Sequence, residues 1–270
     1  MIDELFYIEK SAYRRSIIHS LDARVKLLVV FALIIATVAL PYSPSVFAVT
    51  GFFLFFIAFA WSLSTLSPLL FLKRLATIMP FGLFIILFQI FLTNRYYSTF
   101  HIIANLPLGI HVYAESIEFA NILFLKFLVC VSAIVLLSST TKLQDMLEGA
   151  KQLGLPIDFV LALSMMIRYL FVFGYIYRKI TESFKTKCFD PFDRALSYRY
   201  RLRQIGYTVG TLFLRSYEQG ERTYTAMLCR GYGRETALYR KKVPLARRDW
   251  VFLTLSLGFV VLIPLMVYIR

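Results

Sequence analysis

The chain has 270 residues, of which 59% are hydrophobic and 17% charged, with 26 Phe, 17 Tyr and a formal net charge of +14. So apolar a composition does not describe a water-soluble surface; it places the chain in a membrane and excludes a disulfide scaffold, a secreted hydrolase and a disordered regulator. Cys130, Cys188 and Cys229 are odd in number and far apart, which suits neither a disulfide framework nor a CxxC metal site.

The polar stretch from Met1 to Arg24 is long and mixed in charge, unlike a cleavable leader, so the N-terminus is expected to be retained. Apolar runs follow near Val25–Leu40, Val46–Leu63, Thr77–Thr93, Ile117–Leu137 and Trp250–Ile269. Each reaches or approaches the ~20 residues that a helix needs to cross ~30 Å of hydrocarbon. The sequence therefore predicts an all-α integral membrane protein with about five transmembrane helices. Lys10, Arg14, Arg15, Arg24 and Lys26 surround the start of the first run, Lys73 and Arg74 lie between the second and third, and 17 Lys/Arg fall between Arg178 and Arg248. The turn 41–45 carries no positive charge and the loop 94–114 only Arg95. By the positive-inside rule the N-terminus is cytoplasmic, the C-terminus external and the basic region internal. Three segments result: a four-span membrane domain over 1–137, a cytoplasmic region over 138–248 and a last span over 249–270.

Within the cytoplasmic region, Ile157–Tyr177 is apolar enough to resemble a span, but crossing there would place the 17 following cations outside. Asp158, Ser164 and Arg168 interrupt it, so it reads as a helix packed on protein or half submerged, starting after Pro156. Gly154 ends the preceding helix, Lys142–Leu153. A second long helix runs from about Tyr200 through Cys229 and stops at Arg230-Gly231. Arg215, Glu218, Arg222, Ala226 and Arg230 line one stripe of it at spacings of three and four. Glu218 can pair with Arg215 and Arg222, whereas Arg230 has no acid one turn away. Two readings stand for Arg230: bidentate docking onto a partner's carboxylates, eased by Gly231 beside it, or ordinary helix C-terminal chemistry.

Lys126 stands mid-span in Leu123-Phe-Leu-Lys-Phe-Leu128, where a charge costs ~2.5–3.5 kcal/mol on insertion scales. Gln89, Asn121 or an acid of another subunit are its candidate partners, in a structural or interfacial role. His101 and His111 lack a third ligand nearby and read as loop residues, so no metal site is expected.

Several blocks together carry a resemblance: Tyr13-Arg-Arg-Ser-Ile-Ile-His-Ser-Leu-Asp-Ala-Arg-Val-Lys-Leu27, Thr140-Thr141 leading into Gly154-Leu-Pro156, Ile167-Arg-Tyr-Leu170, and Leu212 through Tyr232 with its Ala226-Met-Leu-Cys-Arg-Gly231 core. The chain resembles the transmembrane T component of energy-coupling factor (ECF) transporters, nearest the cobalt/nickel branch, CbiQ-like. The resemblance implies a non-catalytic coupling subunit of an ABC-type importer, with long cytoplasmic coupling helices inserted before the last span. It implies two cytoplasmic ATPase partners that hold ATP and Mg, a metal-capturing membrane S component, a prokaryotic cell membrane and no cofactor on this chain. Two Ala-Arg-Gly-like motifs would dock the ATPases. The second falls on Ala226, Cys229, Arg230 and Gly231, with cysteine replacing the usual alanine. For the first, around Thr186–Arg199, no Arg-Gly exists, and Lys187 is the residue expected to substitute.

Enzyme readings lack parts: there is no GxxxxGK[ST], HExxH or GxSxG motif and no pair of Asp-rich motifs. The rival from another class is a stand-alone secondary transporter or channel with Arg168 and Lys126 along its path, although the internal repeats such a fold uses are not visible. Nucleic-acid binding by the basic region is disfavoured by the acids mixed into it, Glu182, Asp190, Asp193, Glu218, Glu221 and Glu235.

Overall fold

The computed structural model describes residues 16, 18–43, 45–90, 102–106, 110–187, 190, 196–233 and 244–269. The elements in chain order are α1 (Ala23–Ala39), α2 (Ser45–Leu63), α3 (Pro68–Ile90), β1 (Ile102–Leu106), β2 (Ile110–Tyr113), α4 (Ala114–Thr140), α5 (Leu143–Gln152), α6 (Ile157–Thr186), α7 (Tyr198–Cys229) and α8 (Arg247–Ile269). The fold is all-α apart from β1 and β2, a short antiparallel pair with Leu106 opposite Ile110, within the segment expected to be an external loop. Two compact units result: Met1–Val160 with Leu245–Arg270, and Leu161–Pro244.

The first unit is a bundle in which α4 packs against α1, α2 and α3, while α8 closes onto α1 and α2. Its core is made by Leu33, Val46, Val49, Phe53, Ile57, Ile122 and Val129, all nearly sealed from solvent. Phe53 and Phe56 of α2 meet Phe259 of α8 with ring centroids 6.5 and 5.1 Å apart. The helices alternate in direction. Asp249, at the start of α8, accepts hydrogen bonds from the backbone N–H of Asp22 at 3.2 Å and of Ala246 at 3.1 Å, so α1 and α8 begin at one end of the bundle. Arg74 near the start of α3 donates to Ser139 near the finish of α4, and Trp61 near the finish of α2 meets Phe71 at a tilt, ring centroids 4.7 Å apart. Short α5 sits at the same end. A Cβ on its buried Gly149 would lie 3.1 Å from the Arg24 backbone nitrogen, so a side chain there would press α5 and α1 apart by a few tenths of an ångström.

Two lysines fix how α1 and α4 lie against each other. Lys26 of α1 donates from Nζ to the Thr140 carbonyl at the end of α4, at 3.0 Å. Lys126 of α4 donates to the Leu40 carbonyl at the end of α1, at 2.6 Å, with Val38 O at 3.4 Å and the Tyr42 ring centroid at 4.2 Å. Each helix thus fills carbonyls that the other's last turn leaves without intrahelical donors. Both intervals, 26 to 40 and 126 to 140, span fourteen residues, about 21 Å of helix, so the two antiparallel helices match at both ends. The partners expected for Lys126, a side-chain amide or an acid, are therefore replaced by main-chain carbonyls and an aromatic face. The sequence argument considered side chains only, whereas the donor-poor end of an antiparallel neighbour meets the same need.

Among the described residues, five helices are able by length and composition to cross a membrane: α2, α3, α4, α6 and α8. At 17 residues α1 falls just short of that set, and α6, which the charge pattern kept out, satisfies it. A 17-residue helix still spans about 25 Å, and the matched lysine contacts run it alongside α4.

Candidate functional site

In the second unit α6 and α7 carry the residues singled out in the sequence. Gly154-Leu-Pro156 separates α5 from α6 as the spacing predicts: Gly154 has φ +117°, and the N–H groups of Gly154 and Leu155 donate to the carbonyls of Lys151 at 3.3 Å and Ala150 at 3.2 Å. These two bonds form a Schellman closure, which lets α6 start at Ile157 directly after the proline. The same device ends α7. Arg230 is the C-cap, Gly231 takes φ +80°, Gly231 N donates to Leu228 O at 2.9 Å and Tyr232 N to Met227 O at 3.0 Å. Glycine at this position escapes the strain that a Cβ brings to the left-handed region.

The consequence is a rigid, bare tip. Ala226, Cys229, Arg230 and Gly231 are all exposed, and no residue of α7 is buried. The closure consumes main-chain groups alone, so the Arg230 guanidinium is not spent in holding the turn. Nothing would meet a Cβ within 4 Å of Gly231, which leaves the backbone open to close approach. Arg230 sits where a cation favours the helix dipole, and its side chain is exposed.

Further along the stripe, Arg215, Glu218 and Arg222 are exposed, but Glu218 forms no ion pair with either arginine. The reason is energetic: fixing two long side chains costs entropy that a solvated pair barely offsets. Tyr217 instead reaches Glu221 at 3.4 Å. Arg168 of α6 is exposed, and its neighbour Tyr169 shares a hydrogen bond with the Thr223 hydroxyl of α7, joining the two helices. Sequence reasoning missed this pair. Its signal was a tyrosine hydroxyl midway along an apolar run and a threonine on the α7 face that is half covered along Gln219, Thr223 and Met227. Lys187 stands exposed in the turn after α6, with its N–H on Phe184 O at 3.1 Å. Cys188, Phe189 and Arg194 of the first-motif region lie outside the described residues, as does His101, while His111 falls in β2 opposite Asn105.

Residues 14–239 match the model of a family described as CbiQ, cobalt transport protein. The chain is also similar to an uncharacterized protein of Methanocaldococcus jannaschii, 25% identical over 260 residues, which cover 95% of this chain and 85% of the relative.

Proposed function

Because the chain belongs to the CbiQ family of cobalt transport proteins, we propose that it is the transmembrane coupling subunit of an ECF-type importer. It is a multi-pass membrane component of a transport system. In the proposed role, two cytoplasmic ATPase subunits close around ATP, α6 and α7 tilt with them, and the tilt reaches a membrane S component that holds cobalt or nickel ions. ATP hydrolysis belongs to the partners.

The observation that carries this reading is the exposed, glycine-closed end of α7. A guanidinium on a glycine-closed helix end suits a groove lined with carboxylates, because the backbone that presents it is set before contact and its flat fork makes two hydrogen bonds at once. Lys187, in the turn that ends α6, is the proposed second tip, with a point charge in place of the flat fork. The apolar faces of α6 suit sliding contact, since non-directional packing changes register without stranding polar groups.

The 17 cations from Arg178 to Arg248 support a cytoplasmic position for both tips and, with it, an external C-terminus in the proposed prokaryotic cell membrane. That α1 and α8 begin at the bundle end where α4 finishes fits this polarity. The channel reading is weakened at Lys126, which is 6% exposed and held by two carbonyls and a ring rather than lining an open path. Arg230→Glu tests the proposal. ATPase chains should no longer co-purify with the tagged protein in mild detergent, and metal uptake should be lost, while the bundle stays folded; wild-type levels of both would remove the docking role.

A further inference from the structure

The second unit is joined to the first at two places in the chain, between Val160 and Leu161 inside α6 and between Pro244 and Leu245 ahead of α8. Both roots, the outgoing one from the end of α4 through α5 and the returning one at the start of α8, meet one turn of α1, residues 22–26. Lys26 Nζ donates to the carbonyl of Thr140, the last residue of α4, at 3.0 Å. Gly149 of α5 lies so near that a Cβ on it would stand 3.3 Å from the Ala23 Cβ and 3.1 Å from the Arg24 nitrogen. Asp249 of α8 accepts from the Asp22 N–H at 3.2 Å. All of this joint lies inside the first unit.

Helix capping alone does not account for this arrangement. Asp249 divides its carboxylate: Oδ2 caps its own helix through the Ala246 N–H at 3.1 Å, whereas Oδ1 reaches Asp22, 227 positions away in the chain. Each of the three contacts has main chain on at least one side, so none is released by a side-chain rotation in α1 alone. Lys26, Thr140, Gly149 and Asp249 are all buried, and the acids whose charge bears on Lys26 come from both roots and from the turn itself: Asp145, Asp22 and Asp249. Opening the joint would strand buried polar groups, which opposes it. In α7, by contrast, no residue is buried. We propose that the Asp22–Lys26 turn is the fulcrum of the coupling region, with Lys26 and Asp249 as positioning residues that keep both roots seated on α1 while the tips move. The inference rests on the coupling role proposed above. A root free to slide would absorb the motion of the tips; a seated one delivers it to α1, which runs alongside α4.

The complete complex in liposomes tests this through the ratio of metal imported to ATP hydrolysed. Asp249→Asn keeps the volume but turns an amide NH2 toward one of the two N–H donors. The ATPases should still co-purify, while the ratio falls by about twofold to thirtyfold. A purely structural loss would lower the amount of complex and leave the ratio at the wild-type value, and that result would overturn the fulcrum. The Ala23→Cys, Gly149→Cys pair reads the same claim without removing a charge. Its Cβ atoms, 3.3 Å apart, are a few tenths of an ångström short of the usual disulfide span of about 3.5–4.5 Å, so oxidation should cross-link α5 to α1. With oxidised wild type as the reference, the cross-link should leave the ratio unchanged. Loss of uptake on oxidation, reversed by reductant, would show that the joint opens in each cycle and would overturn a fixed pivot. A wild-type complex that lacks ATPases or imports nothing removes the coupling role and the fulcrum with it, whereas a working wild type with an unaltered Asp249→Asn ratio removes the fulcrum alone.

Discussion

Lys126 and Arg230 are both cations beside the last turn of a helix, a neighbour's in one case and its own in the other, and the regions that hold them treat that charge in opposite ways. In the bundle the charge is consumed internally: Lys126 is buried against the last carbonyls of α1, and Lys26 does the same for α4. In α7 the last carbonyls are closed by main-chain N–H groups of Gly231 and Tyr232, which leaves the arginine outward. One helix end is thus finished by a side chain from its neighbour and the other by its own backbone. Only the second leaves a charge for a partner. The contrast separates a part that keeps one geometry from a part that, in the proposed role, engages a partner.

The sharpest way to break the contrast is to exchange the chemistry at Lys126. Lys126→Glu sets a buried anion against two carbonyls and should prevent accumulation of folded protein. Lys126→Met keeps volume but strands the Leu40 carbonyl, with an expected loss of about 1–3 kcal/mol, visible as a lower melting temperature in detergent. Lys26→Met should act similarly at the other end. The sites are about 21 Å apart, so the two losses should add within ~0.5 kcal/mol. Arg230→Gln, by contrast, should shift melting by only about 0.5 kcal/mol, since among the described residues only the exposed helix dipole uses that charge. A comparable loss at both positions would erase the distinction.

A second, smaller effect is expected at the glycines. Gly149→Val would press side-chain carbons into the backbone of α1 at Arg24, where the neighbour has no flexible end to move, and should cost about 1–3 kcal/mol. Gly231→Ala meets open space, so its cost is only the left-handed backbone, about 1 kcal/mol, and it should fall on ATPase co-purification more than on melting. Equal effects on melting would show that the α7 tip is as integral to the fold as α5 is.

How much of this the sequence disclosed follows from the range of the interactions. Helix ends set by local chemistry were legible: Gly154 and Gly231 end α5 and α7, and Pro156 precedes α6, because capping depends on residues within one turn. Apolar runs and the distribution of arginine gave the membrane class for the same reason. Contacts across a hundred positions were not legible. Nothing near Lys126 in sequence points to Leu40, and the fourteen-residue match with Lys26 and Thr140 becomes visible only when α1 and α4 lie side by side. Glu218 shows the opposite failure: its spacing permits two ion pairs, yet a solvated surface gives too little return for either to form.

A further effect is expected where the two long helices meet. Tyr169→Phe deletes one hydroxyl and leaves Thr223 with its bond to the Gln219 carbonyl, at 2.7 Å. Both groups are only half covered, so water can replace the lost partner and melting should move by about 0.5–1.5 kcal/mol at most. If α6 and α7 act as levers, that hydroxyl pair marks a point at which motion of one is felt by the other. ATP hydrolysis by the assembled complex should then persist while metal uptake per ATP falls. A variant with the same uptake per ATP as the wild type would make the contact a packing detail, and would leave the two tips as independent attachments rather than ends of a linked pair.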